Sequence, residues 1–321
     1  MRLHVDAWDP AYGSGLVPGD NAESSAELNT DVELPAGAWQ AVGPPADVLP
    51  PHVVLLVDGV RRIDARVWVV DDDETVFMGL AASYAAGVVR CDLRRGAAEV
   101  ASARVARGLF TAAAAPVEVK AGTVCYAHHK VGRDEAADLE LAVQRQLQAL
   151  EAAVATAARE TSTMDDDLLV VDGPLRGRTH LPRSLGYVKT HRVEYLPRPL
   201  STVVGRMAAG ERCPVFLLGT NWHRYTWYLR LPGPAGSPWS GVVRVECSAD
   251  LAPRAAVALA DLSTVTLPRF AATPYKDPRA PQNLVPIAGL ERKLRGMLGD
   301  ARLLHRALTS AAHRVTAAAR R

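Results

Sequence analysis

Two stretches of this 321-residue chain share a form. VVLLVDG, beginning at Val53, and LLVVDG, beginning at Leu168, are each an unbroken apolar run closed by Asp-Gly. Such runs read as β-strands buried on both faces. Asp58 and Asp172 then end buried strands, where a carboxylate is costly unless it is paired or bound to a cation. Adjacent parallel strands would set the two side by side, and paired carboxylate oxygens suit Mg2+ or Mn2+. Asp-Gly is also the commonest signal for a tight hairpin, which needs no metal. On pattern alone the metal site and the hairpin both stand, with a helical crossover between two matched runs favouring the former.

A third acid can be sought by height along the elements. The helix preceding the second run should lie antiparallel to it, so distances can be measured from their shared connection. Asp172 is five residues beyond Asp167, about 17 Å along a strand at roughly 3.3 Å per residue. Glu151 is nine residues before Glu160, about 14 Å along a helix at 1.5 Å per residue. Glu140 shares its azimuth but would stand about 30 Å up on the same arithmetic. Glu151 is therefore the expected partner of the two aspartates, against the plainer reading of a solvated acid on a helix flank.

Other polar groups point less sharply. His128 and His129 are adjacent, so on a strand they face opposite sides, which suits a surface or loop role better than shared metal ligation. The segment TNWHRYTWY at 220–228 interleaves His223 and Arg224 with aromatic rings that could stack unpaired bases, but an aromatic core face explains it too. Cys91, Cys125, Cys213 and Cys247 form no CxxC pair, which excludes a zinc ribbon and leaves free thiols. Neither GxxxxGK[ST] nor GxGxxG occurs, so these nucleotide-binding loops are absent.

The elements that must position the acids follow from periodicity. Beyond Asp58, Ile63, Ala65, Val67 and Val69 alternate with polar neighbours, a half-exposed strand following the buried one. Further β-like segments are expected at Val76–Cys91, at Ala98–Thr111 and around Val117–Tyr126, then at Leu185–His191, Val215–Leu218, Tyr225–Leu231 and Val242–Cys247. Leu139, Val143, Leu147, Leu150 and Val154 predict a long amphipathic helix from Asp134 to about Glu160. A second helical pattern spans Pro253–Leu262, and one last helix after Pro286 is expected to carry Leu290, Leu294, Leu298 and Leu304. The predicted fold class is α/β, a central mixed β-sheet flanked by helices with β-rich additions.

Composition narrows the setting. With 48% hydrophobic residues the chain can bury a sizeable core. No run approaches about 20 uncharged apolar residues, and the opening MRLHVDAWDP carries Asp6 and Asp9 where a signal peptide would be apolar, so no membrane span and a cytoplasmic location are expected. Residues 1–50 hold eight acids and one base, a balance of −7, and the whole chain is +2, so the remainder carries +9. That division predicts an acidic N-terminal arm, 1–50, packed on a basic body, 51–321. The body's charge is mostly arginine, whose planar fork suits phosphate.

From about Val53 to Leu304 the chain resembles the NurA nuclease family. The resemblance is carried by LLVDGVRRIDARV, by GLAASYAAGVVR, by LLVVDGPLRGR with SLGYVKTH after it, and by DPRAPQNLVPIAGLERKLRGMLGD. It implies an RNase H-like, PIWI-related core and metal-dependent hydrolysis of DNA in end processing, in repair or defence. Asp58, Asp172 and a helix glutamate matched by Glu151 would be the catalytic and metal ligands, with Mn2+ or Mg2+ as cofactor. Arg61, Arg62, Arg176 and Arg178, directly beyond the two aspartates, would hold phosphates. The implied partners are DNA, a HerA-like hexameric ATPase and a second copy of the chain in a homodimer. One departure is visible: where the family's closing motif supplies a tyrosine and then a histidine, this chain has Pro281 and Gly289, which leaves a fourth ligand to Asp277, Gln282 or Asn283. Two other classes compete, a non-catalytic DNA-binding subunit of an ATPase complex and an interaction module using the acidic arm.

Overall fold

The computed structural model describes residues 26–71, 73–114, 119–161, 166–191, 193–234 and 236–319, the last five without side chains. Their order is β1 (Glu27–Asn29), β2 (Val53–Val70), β3 (Val76–Asp92), β4 (Ala97–Thr111), β5 (Val119–Ala121), β6 (Val124–Lys130), α1 (Ala136–Thr161), β7 (Asp167–Asp172), β8 (Ser184–Val188), α2 (Arg198–Arg206), β9 (Phe216–Gly219), β10 (His223–Arg230), β11 (Val242–Ser248), α3 (Pro253–Thr266), α4 (Val285–Met297) and α5 (Ala301–Ala319). The strands follow the order β1-β9-β10-β11-β8-β7-β2-β3-β4-β6-β5 in one large mixed sheet. Of its paired strands, β7–β8 and β4–β6 run parallel, while β1–β9, β9–β10, β10–β11, β11–β8 and β5–β6 run antiparallel. Among the described residues no helix is long and apolar enough to cross a membrane.

The chain forms two compact units. Of the described residues, those within 26–56, 89–99 and 159–289 make one, and those within 57–88, 100–158 and 290–319 make the other. β2, β3, β4, α1 and α4 each run from one unit into the other.

β2 corrects the reading of Asp58 as the end of a strand. The strand continues through Asp58 and Gly59 for 18 residues, and no hairpin forms there. A type I′ turn needs positive φ at both central residues, and Gly59 is not among the glycines with positive φ. Burial holds the segment extended instead: Val57 is fully buried and Val60 nearly so, one on either side of the Asp-Gly pair. Asp172 does end its strand, and Gly173 beyond it takes a φ of 106°.

In the first unit, the stretch after residue 25 is bound into the sheet. β1 pairs with β9 through Leu28↔Leu218, and Glu33 accepts both Arg212 guanidinium nitrogens, at 2.7 and 2.8 Å. Asp261 on α3 takes the same guanidinium at 2.6 Å, so the buried Arg212 is fully paired. α3 lies along β10 and β11, where Trp227 donates its indole N–H to Ser263 at 3.0 Å. α2 is a helix that the apolar pattern does not announce. Only Leu200 and Val204, four residues apart, are buried on it.

In the second unit, α1 buries Leu139, Val143, Leu147, Glu151, Val154 and Ala155. β3 is built of small residues so that its neighbours come close: a Cβ on Gly87 would sit 2.8 Å from the Ser102 carbonyl and 3.1 Å from Leu290. The single last helix of the sequence reading is two. Gly299, with φ of 81°, ends the first, and Asp300 opens the second by accepting the Leu303 amide at 2.8 Å.

Candidate metal centre

Asp58, on β2, is 7% exposed, and its Oδ1 accepts the amide of Gly59 at 2.7 Å. Asp172, at the end of β7, stands opposite Tyr187 of β8, and the Lys189 ammonium donates to its Oδ2 at 2.5 Å. Glu291, on α4, is 6% exposed and accepts from Arg295, one turn on, at 3.1 Å. One oxygen from each of Asp58, Asp172 and Glu291 lies within 4.8 Å of the other two.

The donor set fits a hard divalent cation. Three carboxylates, and no sulfur or imidazole, are the ligands of Mg2+ or Mn2+. Each has one oxygen held by a donor of its own, the outer-shell bracing that fixes a ligand's direction. The Lys189 ammonium also places a positive charge on Asp172, where an ion would carry one.

The sequence reading expected Glu151 in the third place. Glu151 is buried, as a stripe residue must be, and a Cβ on Gly59 would meet its Oε1 at 2.6 Å. It thus lies beside the residue that follows Asp58, but the group of three closes with Glu291. Glu140 is exposed. Glu291 was missed, although it carried the signal that marked Glu151. Ile287, Leu290 and Leu294 are the buried stripe of α4, continued by Leu298 just past its end, and Glu291 stands on it. An acid in a core position of an amphipathic helix is the shared sign.

The segment considered for a further ligand braces Asp172 indirectly. Asn283 is fully buried, accepts from Lys189 at 2.9 Å and donates to Asp277 at 2.6 Å. The Gln282 carbonyl accepts the Tyr187 hydroxyl at 2.6 Å. Burial first, and the Asp172 charge second, hold that phenol well above its usual range, so it stays a donor. The loop after Asp172 is pinned from β11, where Glu246 accepts the Leu175 amide at 2.7 Å. Gly186 permits this approach, since a Cβ there would come 2.6 Å from that amide nitrogen.

Of the four arginines, Arg61 and Arg176 are exposed. Arg62 is spent on the fold: it pairs with Asp64 at 2.8 Å and caps the end of α4 at the Gly299 carbonyl, also at 2.8 Å. Arg178 is 4% exposed, so it presents no free fork to solvent. The aromatic segment is a core face, with Tyr225, Trp227 and Tyr228 buried and Arg224 paired with Glu246 at 3.1 Å. His129 stacks on Phe110 with centroids 4.7 Å apart, and burial lowers its pKa. The cysteines are free thiols, Cys125 exposed and the others buried. Burial raises Cys91 to about 11 and Cys213 and Cys247 to about 12.

No protein-family model matches the chain, and no curated protein matches it. Among solved structures it is similar to the crystal structure of NurA bound to dAMP and manganese, with 13% identity and a TM-score of 0.23. That similarity covers 46% of this chain and 24% of the NurA chain, so less than a quarter of the latter's length is spanned.

Proposed function

We propose that the chain is a divalent-metal-dependent deoxyribonuclease of the NurA type, with an RNase H-like core. The observation that carries this reading is the meeting of Asp58, Asp172 and Glu291 within 4.8 Å. Three acids so close, two of them buried and Asp172 half-buried, repel one another, and a cation removes the repulsion. Mn2+ or Mg2+ bound there would supply activation of water and stabilisation of the oxygens of a phosphodiester. The protein's own part is to aim the three carboxylates, with the Gly59 amide, Lys189 and Arg295 each holding one oxygen. Arg61 and Arg176, exposed just beyond the two aspartates, hold the flanking phosphates, and Glu151 adds a further buried acid beside Gly59. The same reading makes DNA the substrate, a HerA-like hexameric ATPase and a second copy of the chain the partners, DNA end processing the role and the cytoplasm the place.

The test is DNA cleavage by purified protein with Mn2+ or Mg2+, with and without chelator, for wild type, Asp58→Asn, Asp172→Asn and Glu291→Gln. Wild type is expected to cut only with metal, and each variant to lose at least about a hundredfold in rate, the scale of deleting a charged group that stabilises the transition state. Retention of full activity by all three variants would sink the reading. A wild type that binds DNA without cutting it would make the chain a non-catalytic subunit.

A further inference from the structure

One ring of the aromatic segment stays out of the core. Trp222, in the turn between β9 and β10, is half-buried, whereas Tyr225, Trp227 and Tyr228 are buried. Its indole lies over the guanidinium of Arg224, 4.7 Å from the ring centroid. Arg224 also ties the turn together, its Nη1 donating to the Thr220 hydroxyl at 3.1 Å and to the Trp222 carbonyl at 3.2 Å. A second ring is held in the same way: Tyr195, half-buried ahead of α2, lies over the Arg244 guanidinium at 5.4 Å.

Both arginines are anchored on Glu246. Glu246 and Arg244 of β11 stand opposite Thr226 and Tyr228 of β10, so Arg224, two residues before Thr226, reaches the carboxylate diagonally on the same face. Arg224 Nε and Arg244 Nη1 meet Glu246 Oε2 at 3.1 and 2.9 Å, and Oε1 accepts the Leu175 amide at 2.7 Å. One fully buried carboxylate thus fixes two aromatic rings and the loop that carries Arg176. All of these residues belong to the first compact unit.

A buried carboxylate needs only one arginine to pair it. Here two share a single oxygen, and Nη2 of each has no hydrogen-bond partner among the described residues. Burial first, opposed by Glu246 and helped by the Arg244 charge, pulls Arg224 below its usual pKa. An anionic acceptor beside the pair would offset that cost. Each ring, in turn, has the guanidinium as its single ring partner among the described residues, which leaves its opposite face to a further flat group.

Resting on the reading of DNA as the substrate, we infer that Trp222 and Tyr195 form a platform on which unpaired bases of a DNA strand stack, while Arg224 and Arg244 fix the rings and offer their remaining N–H groups to the strand's phosphates. Every base has a π-face, so such a platform is tolerant of sequence. It selects a frayed or single-stranded end over an intact duplex, whose bases are already stacked on one another.

Binding of labelled oligo(dT) to the full chain in chelator, read by fluorescence anisotropy, tests this apart from cleavage. Wild type is expected to bind oligo(dT) more tightly than an abasic strand of the same length. Trp222→Ala and Tyr195→Ala should each weaken oligo(dT) binding about five- to 150-fold, the range for losing one stacked base, and leave binding of the abasic strand as it was. Trp222→Phe keeps a ring and should recover most of the affinity. Thermal melts show whether the alanine variants fold, and Trp222→Leu or Tyr195→Leu, which keep bulk without a π-face, replace one that does not. Undiminished oligo(dT) binding in the folded variants, or an equal loss on oligo(dT) and the abasic strand, would overturn the inference while leaving the nuclease reading intact. A wild type that binds no DNA would overturn both.

Discussion

At the scale of residues, Gly59 decides how closely α1 approaches the acids. A Cβ there would lie 2.6 Å from both Glu151 Oε1 and Leu147 Cδ1, distances at which something must move. Its φ is not positive, so alanine meets no backbone penalty and the whole effect is steric. Gly59→Ala is expected to cost about 1–3 kcal/mol in a urea melt, the range for overpacking a core. It should also lower DNA cleavage by displacing Glu151. Unchanged activity at reduced stability would confine Glu151 to a structural part. The three ligands also differ among themselves. Asp58→Asn and Glu291→Gln relieve repulsion and should leave the metal-free protein as stable or more so. Asp172→Asn takes the negative charge from beside the half-buried Lys189 ammonium, leaving it Asn283, and should destabilise the protein by about 1–3 kcal/mol. Equal metal-free melts for all three variants would contradict that distinction.

At the scale of elements, the most sharply defined consequence concerns His191, which packs between the rings of Tyr228 and Trp239 and bonds through Nε2 to the Val242 carbonyl at 3.0 Å. Burial, helped by Arg244 and opposed by the Val242 bond, lowers its pKa to about 4. The folded value lies below the unfolded one near 6.5, so the unfolded chain binds the proton first. The stability that neutral His191 contributes is therefore complete above about pH 6.5 and is lost as pH falls toward 4. Between pH 7 and 4.5 wild type should lose about 2 kcal/mol more than His191→Gln, measured by denaturant melts across that range. Parallel curves would mean that the imidazole titrates as in solution. The elements differ in how plainly the sequence announced them. α1 was legible because Leu139, Val143 and Leu147 repeat every four residues, and β11 because Val242, Val243 and Val245 lie together in an apolar run. The Asp58-Gly59 pair read as a strand end because local turn chemistry and burial conflict there, and burial on both faces won. The α4–α5 break was hidden because Leu294, Leu298 and Leu304 keep a near-helical spacing across Gly299, whose positive φ only the fold reveals. Glu291 stayed hidden for a different reason: its place on the apolar stripe marks it as it marks Glu151, but Asp58 and Asp172 are distant in sequence and no local spacing joins it to them. Lys189 and Asn283 were hidden likewise, being 94 residues apart yet joined by one hydrogen bond.

At the scale of the whole molecule, the opposed charge of residues 1–50 and of those beyond them bears on how DNA would be held on the proposed reading. Residues beyond 50 carry +9, chiefly as arginine, while the acids that would cut are held within the fold, two of the three buried, and number only a few. Binding and cutting should therefore separate. On the proposed reading, attraction to DNA would come from exposed guanidinium groups such as Arg61 and Arg176 and would need no metal, whereas hydrolysis would need the carboxylate centre. Each phosphate neutralised releases condensed counterions, so log affinity should fall linearly with log salt, with a slope of about −0.9 per contact on duplex DNA. About five contacts would weaken binding some 500-fold between 50 and 200 mM salt. Arg61→Ala and Arg176→Ala should each reduce the slope by about one and weaken binding alike for all sequences, since phosphate contacts carry no sequence information. Chelator should leave the affinity near its starting value, and Asp58→Asn should bind as tightly as wild type or tighter, because one negative charge near the phosphate has gone. Fluorescence anisotropy of a labelled duplex over a salt series checks all of these together. A salt-independent affinity would remove the basic body from the account, and loss of binding on chelation would mean that the metal centre, and not the arginines, holds the DNA.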